Sequence, residues 1–256
     1  MNREPTVHVR QVIDRHTAID THAAGTDSKQ RMINSVMLLA VAAVVFLWSP
    51  DLAAHGVSAA DKAFMERGGL LAFIYLGAKH MVTGYDHLLF LVGVIFFLYR
   101  VRDVTTYVTL FAVGHSVTLL YGVLSGTDIN PYLVDAIIGL SVVYKALDNL
   151  GAFRHWFGVE PNAKAAVLLF GFFHGFGLAT KIQDFALPRR GLVQNIVAFN
   201  VGVEIGQVLA LSAILIVMAY WRRTAAFQRQ AFTTNVLIMA CGFLLVGYQL
   251  TGFFVE

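Results

Sequence analysis

Apolar and polar positions fall into long blocks along this chain, with little of the short alternation typical of a soluble domain. Six apolar runs, roughly 69–99, 105–125, 132–149, 165–181, 193–220 and 232–254, are separated by short polar loops. A helix needs about 17–25 apolar residues to cross a bilayer core about 30 Å thick, so each run is a candidate span. A shorter run, 35–48, precedes them. The pattern predicts an all-α, polytopic helical membrane protein with six transmembrane helices plus an N-terminal signal-like or seventh helix. The first long run exceeds what one straight span needs. It is expected to tilt, to kink near Gly84 or to lie partly in the interface.

These blocks divide the chain into a polar cytoplasmic tail (1–31), a signal peptide or signal anchor (32–54), a short extracytoplasmic segment (55–68) and a membrane domain (69–256). The short apolar core followed by Ala53-Ala54 suits cleavage near His55, and equally an uncleaved anchor. Cleavage after Ala54 would leave His55 with a free amine and an imidazole together, a pair suited to a transition metal.

Charge sets the orientation. With the segment before residue 69 outside, the inner loops hold Arg100, Arg102, Arg154, Lys164, Arg222, Arg223 and Arg229. The tail adds Arg3, Arg10, Arg15, Lys29 and Arg31 on the same side, against Lys62, Arg67, Lys181, Arg189 and Arg190 outside. The expected location is a bacterial inner (cytoplasmic) membrane, multi-pass, in which the positive-inside rule puts the tail inside and the C-terminus outside.

Composition agrees with the pattern. Hydrophobic residues make up 57% and charged residues 14%, where a soluble domain would carry about a quarter charged. No basic patch on a soluble module is visible, so nucleic acid is not an expected partner. The single cysteine, Cys241, lies in an apolar run and allows neither an internal disulfide nor a thiolate cluster. The 20 phenylalanines read as lipid-facing bulk.

Against this background the polar residues inside the runs stand out. His80, Asp86 and His87 sit in the first run, His115 halfway along the second, and His174 in the fourth. Asn200, Glu204 and Gln207 follow in the fifth, and Asp135 lies near the outer mouth of the third. An Asp at the centre of a span opposes insertion by about 2.5 to 3.5 kcal/mol, and intramembrane ionisable groups mark ion or proton sites. One buried His is often just a hydrogen-bonding group. Polar groups converging on one layer from four spans are better explained by a site. Asn200 and Gln207 read as packing and hydrogen-bonding groups, and Lys145 as snorkelling to the inner interface.

On a straight helix His80 and His87 share a face but stand about 10 Å apart, too far to share an ion unless Gly84 breaks the helix. Gly171 and Gly175 flank His174, and Gly202 and Gly206 flank Glu204, at the spacing that lets helices approach closely in lipid. The expectation is that these two spans pack together, bringing His174 and Glu204 within reach.

Five blocks carry a resemblance: Gly77-Ala-Lys-His80, Gly84-Tyr-Asp86-His87-Leu-Leu-Phe-Leu, Phe111-Ala-Val-Gly-His115-Ser-Val-Thr-Leu, Phe170-Gly-Phe-Phe-His174-Gly-Phe-Gly and Ala198-Phe-Asn200-Val-Gly-Val-Glu204-Ile-Gly-Gln207. Over about residues 69–254 they resemble the HupE/UreJ family of membrane proteins. The resemblance implies an accessory protein of hydrogenase or urease systems that imports nickel or cobalt, with His80, Asp86, His87, His115, His174 and Glu204 handling the metal.

Imidazole with carboxylate suits nickel or cobalt, with copper or zinc possible, as cargo or ligand. The expected function is transport of such an ion through a mid-membrane site. The alternative is a static metal-binding or assembly subunit of a larger membrane metalloenzyme. Four buried histidines are few for a dinuclear oxidase, so an enzyme is not expected. Expected partners are the metal ion, the lipid bilayer, and a membrane-protein partner or further copies of the chain.

Overall fold

The computed structural model describes residues 59–127, 129–183 and 191–255, which belong to one unit that begins at Ala54. The tail, the signal-like segment and His55 lie outside the described residues. Eight helices and no strand are found among those described: α1 (Ala59–Thr83), α2 (Tyr85–Ile95), α3 (Val101–Ser125), α4 (Pro131–Asn149), α5 (Ala152–Phe157), α6 (Ala163–Gln183), α7 (Leu192–Trp221) and α8 (Ala225–Val255). The all-helical expectation holds.

Four of these helices, α3, α6, α7 and α8, are long and apolar enough to cross a membrane. The other two expected spans differ for identifiable reasons. α4 carries Asp135, Lys145 and Asp148 within its 19 residues. The first long run is divided into α1 and α2 at Gly84, whose ψ of 107° is extended, and α2 has only 11 residues.

α1 itself folds back on itself. Gly69 has φ 58° and ψ −154°, a region open essentially to glycine alone. Residues 59–68 return along residues 70–83, so that Asp61 meets Lys79, 18 residues on, at 2.8 Å, and the Phe64 and Tyr75 rings meet at 5.7 Å. Eighteen residues of straight helix would separate them by about 27 Å.

Glycines then pair the helices. A Cβ at Gly206 would stand 2.6 Å from the Ala78 carbonyl oxygen, and one at Gly202 would overlap that of Ile74. α1 and α7 are thus in backbone contact and run parallel, since residue numbers rise together. α3 and α6 are also parallel, with Gly114 against Leu168, Gly175 against His115 and Gly122 against Ala179. α4 and α8 run antiparallel, with Gly139 against Val246, Gly242 against Val143 and Gly252 against Tyr132. Without a hydrophobic force between helices in lipid, close backbone packing of this kind drives association.

The expected pairing of the His174 and Glu204 spans is therefore corrected. Gly171 and Gly175 of α6 face α3, whereas Gly202 and Gly206 of α7 face α1. Each small-residue motif has a partner, but not the other motif.

A clamp holds the far end of α2. The Arg222 guanidinium at the end of α7 donates to the carbonyl oxygens of Ile95, Phe96 and Leu98. Asn149 of α4 donates to Gly93 O at 2.8 Å and to Asn235 Oδ1 of α8 at 2.9 Å. A cation on the open carbonyls of a helix C-terminus is favourable both as charge and as donor. Lys145, expected to reach the interface, is buried and ion-paired with Asp148 one turn on.

Candidate metal centre

The break at Gly84 builds the site. The Gly84 N–H still donates to His80 O at 2.9 Å, and Gly84 O accepts from Leu88 N at 3.0 Å, so α2 restarts at once in a new direction. The His80 and His87 rings consequently meet at 5.0 Å between centroids. The straight-helix objection to their sharing a site is removed. A side chain at position 84 has no room, because a Cβ there would lie 2.8 Å from His87 Nδ1 and 3.1 Å from Asp86 Oδ1.

His87 is the hub. Its ring centroid is 4.9 Å from that of His174 and 6.0 Å from that of His115, with the rings edge to face. His87, His115 and His174 are 2%, 0% and 1% exposed. α3 and α6 hold their two imidazoles together at this level, where Thr118 Oγ1 donates across the helix pair to Phe172 O at 2.7 Å.

Two of the rings have one nitrogen anchored. His87 Nδ1 lies 2.9 Å from Asp86 Oδ1, and the same oxygen accepts the His87 backbone N–H at 2.9 Å. His174 Nδ1 lies 2.8 Å from the Phe170 carbonyl oxygen, an acceptor only, so Nδ1 carries the proton. With Nδ1 donating, Nε2 holds the lone pair. The Nε2 atoms of His80, His87, His115 and His174 are all buried with no hydrogen-bond partner, as is His115 Nδ1. An unmet buried polar group destabilises by about 1–3 kcal/mol. Anchoring one imidazole nitrogen on a carboxylate or a backbone carbonyl is the usual support of a metal-ligating histidine.

The chamber is aromatic. Phe111 lies 4.9 Å and Phe90 5.4 Å from the His174 ring, and Phe199 6.3 Å from His80. The reading of phenylalanine as lipid-facing bulk is corrected here, since Phe90, Phe111 and Phe199 are buried walls of the cluster. Composition gives no clue to this, because a helix-facing and a lipid-facing Phe look alike in sequence.

Five of the six candidate residues are brought together: His80, Asp86, His87, His115 and His174. Glu204 is not among them, being exposed on the outward side of α7. It follows Asn200 by one turn, about 40° round the helix, which carries it past the edge of the buried face. Asp135 is buried elsewhere, ion-paired with Lys181 at 2.7 Å. Among the described residues no three His, Cys, Asp or Glu side chains converge closely enough to hold one ion as the rings now stand. The rings pack on one another, and holding one ion between them requires the side chains to rearrange.

No curated protein and no solved structure matches the chain. One family does, described as HupE / UreJ protein, over residues 58–256. That stretch includes all eight described helices and the four imidazoles of the cluster, so this membrane protein belongs to the HupE/UreJ family.

Proposed function

We propose that the chain carries a divalent transition-metal ion, nickel or cobalt first, across a membrane through the imidazole cluster. The observation that carries this reading is the set of four histidines whose Nε2 atoms are buried and bare, two of them anchored through Nδ1. Imidazole is a borderline donor suited to Ni, Co, Cu and Zn. His87 is the central ligand with Asp86 behind it, His174 and His115 face it, and His80 closes the fourth side. No catalysed reaction is assigned to the site.

The helix directions support six crossings, by α1–α2 together, α3, α4, α6, α7 and α8. If these alternate, α1 and α7 must be parallel, α3 and α6 parallel, and α4 and α8 antiparallel. The glycine contacts have these senses. In the bacterial inner membrane we propose for it, charge favours the loops bearing Arg154, Lys164 and Arg223 on the inner side and the C-terminus outside.

Uptake of radiolabelled nickel and cobalt by cells tests the reading, with Asp86→Ala, His87→Ala and His174→Ala beside the wild type. Each substitution should lower uptake at least tenfold. Uptake that is the same in all four would sink the proposal. The near-complete burial of three rings favours a second reading, a static metal holder within a larger complex. Stoichiometric bound metal without flux would select it.

A further inference from the structure

One buried amide on α7, the helix packed against the one that carries His80, has one of its two polar atoms unpartnered. Gln207 of α7 is 1% exposed, and its Nε2 donates to the Val108 carbonyl oxygen of α3 at 3.3 Å. A carbonyl oxygen only accepts, so this contact fixes which end of the amide is which. The remaining atom, Oε1, is buried and has no partner.

The α1–α7 register locates it. Gly206, the neighbouring residue, abuts Ala78 and Met81 of α1, so Gln207 is level with the turn that carries His80. Its amide reaches α3 at Val108, two turns, about 10 Å, before His115. Asn200 lies two turns earlier on the same face, 8% exposed, with neither amide atom partnered. Unmet amide groups therefore lie on one side of α7, Asn200 about 40° and Gln207 about 60° round the helix from Glu204.

The donor count gives that atom a use. His, Cys, Asp and Glu alone do not supply three converging ligands among the described residues. A neutral carbonyl oxygen adds a donor without adding charge, and it binds a divalent ion of this class more weakly than imidazole does. A permeating ion needs that balance, since it must exchange water for protein donors and then leave.

We infer that Gln207 Oε1 is a further ligand position of the imidazole site, taken by the cation directly or through one retained water. This rests on the reading of the cluster as a divalent-cation site. It predicts that Gln207, and not its exposed neighbour Glu204, supplies the oxygen donor contributed by α7.

Co(II) is the probe, because its visible absorption reports its ligand set. The full chain is purified in detergent and titrated with Co(II), as wild type, Gln207→Leu and Gln207→Glu. Gln207→Leu should bind at least tenfold more weakly and change the absorption band. Gln207→Glu, alike in shape with a stronger oxygen donor, should bind at least as tightly as wild type and shift the band. Identical spectra and affinities in wild type and Gln207→Leu overturn the inference. If Gln207→Leu does not elute as folded protein, an unshifted band in Gln207→Glu overturns it equally. A wild type that binds no Co(II) overturns the cation-site reading itself, a different failure from an unaltered variant.

Discussion

Asp86 does two jobs with one oxygen. Oδ1 accepts both the His87 ring proton and the His87 backbone N–H, so it orients the imidazole and helps to start α2. Asp86→Asn keeps the shape but replaces a charged acceptor with a neutral one. Loss of such a supporting group typically lowers metal affinity 10–100-fold, and equilibrium nickel or cobalt binding to the purified variant should fall within that range while its thermal melt stays near wild type. Gly84→Ala tests the break itself. A methyl group pressed against His87 Nδ1 should weaken metal binding at least as much as Asp86→Asn does, and a variant binding with wild-type affinity would show that the ring has room to move. Most of the cluster was legible at this scale, because His80, Asp86, His87, His115 and His174 are polar residues in apolar runs. The place of Glu204 was not. A 40° step round a helix decides between inside and outside, and residue spacing alone does not mark where the buried face ends.

Among the elements, α2 depends most on its neighbours. It has 11 residues, short of the length at which an isolated helix is stable in water, and its C-terminal carbonyls are met by Arg222 and Asn149. Removing a charged donor from partly buried acceptors costs about 1.5–3 kcal/mol. Arg222→Met should therefore lower the melting temperature of the purified protein by several degrees and loosen metal binding secondarily. An unchanged melt would remove the clamp from the account. The glycine seams make a sharper claim. Gly202→Val places a branched side chain where the Ile74 carbonyl already sits, and should abolish folded protein in size-exclusion chromatography, whereas Gly247→Val, at a position with open space around it, should be tolerated. The sequence signalled that small residues mark helix contacts. It could not signal which helix meets which, because each motif fits any smooth partner. The fold-back of α1 was hidden for a related reason: Gly68-Gly69 permits many bends, and the one adopted is fixed by the Asp61–Lys79 and Phe64–Tyr75 contacts.

For the molecule as a whole, the sense of each helix pair bears on how the chain lies in the bilayer. In a Cys241→Ser background, cysteines introduced at Gly126 and Gly158 should react with an impermeant thiol reagent from opposite faces of the membrane, Gly126 from outside. Labelling of both from one side would refute six alternating crossings. All three glycine-sealed pairs join helices far apart in the sequence. The Gln207–Val108 bond spans 99 residues and the Thr118–Phe172 bond spans 54. During synthesis, then, α1 and α3 enter the bilayer well before the helices that seal them. Until α6 arrives, His115 lacks the ring that faces it through His87, and until α7 arrives, the hairpin of α1 has no backbone to lie against. Loop-closure entropy must be met before such distant contacts stabilise anything, so the site is assembled late and in one piece. A nascent chain halted before α6 would present histidines to lipid with nothing to receive them, which makes the unfinished protein a natural client for the quality-control proteases of its membrane.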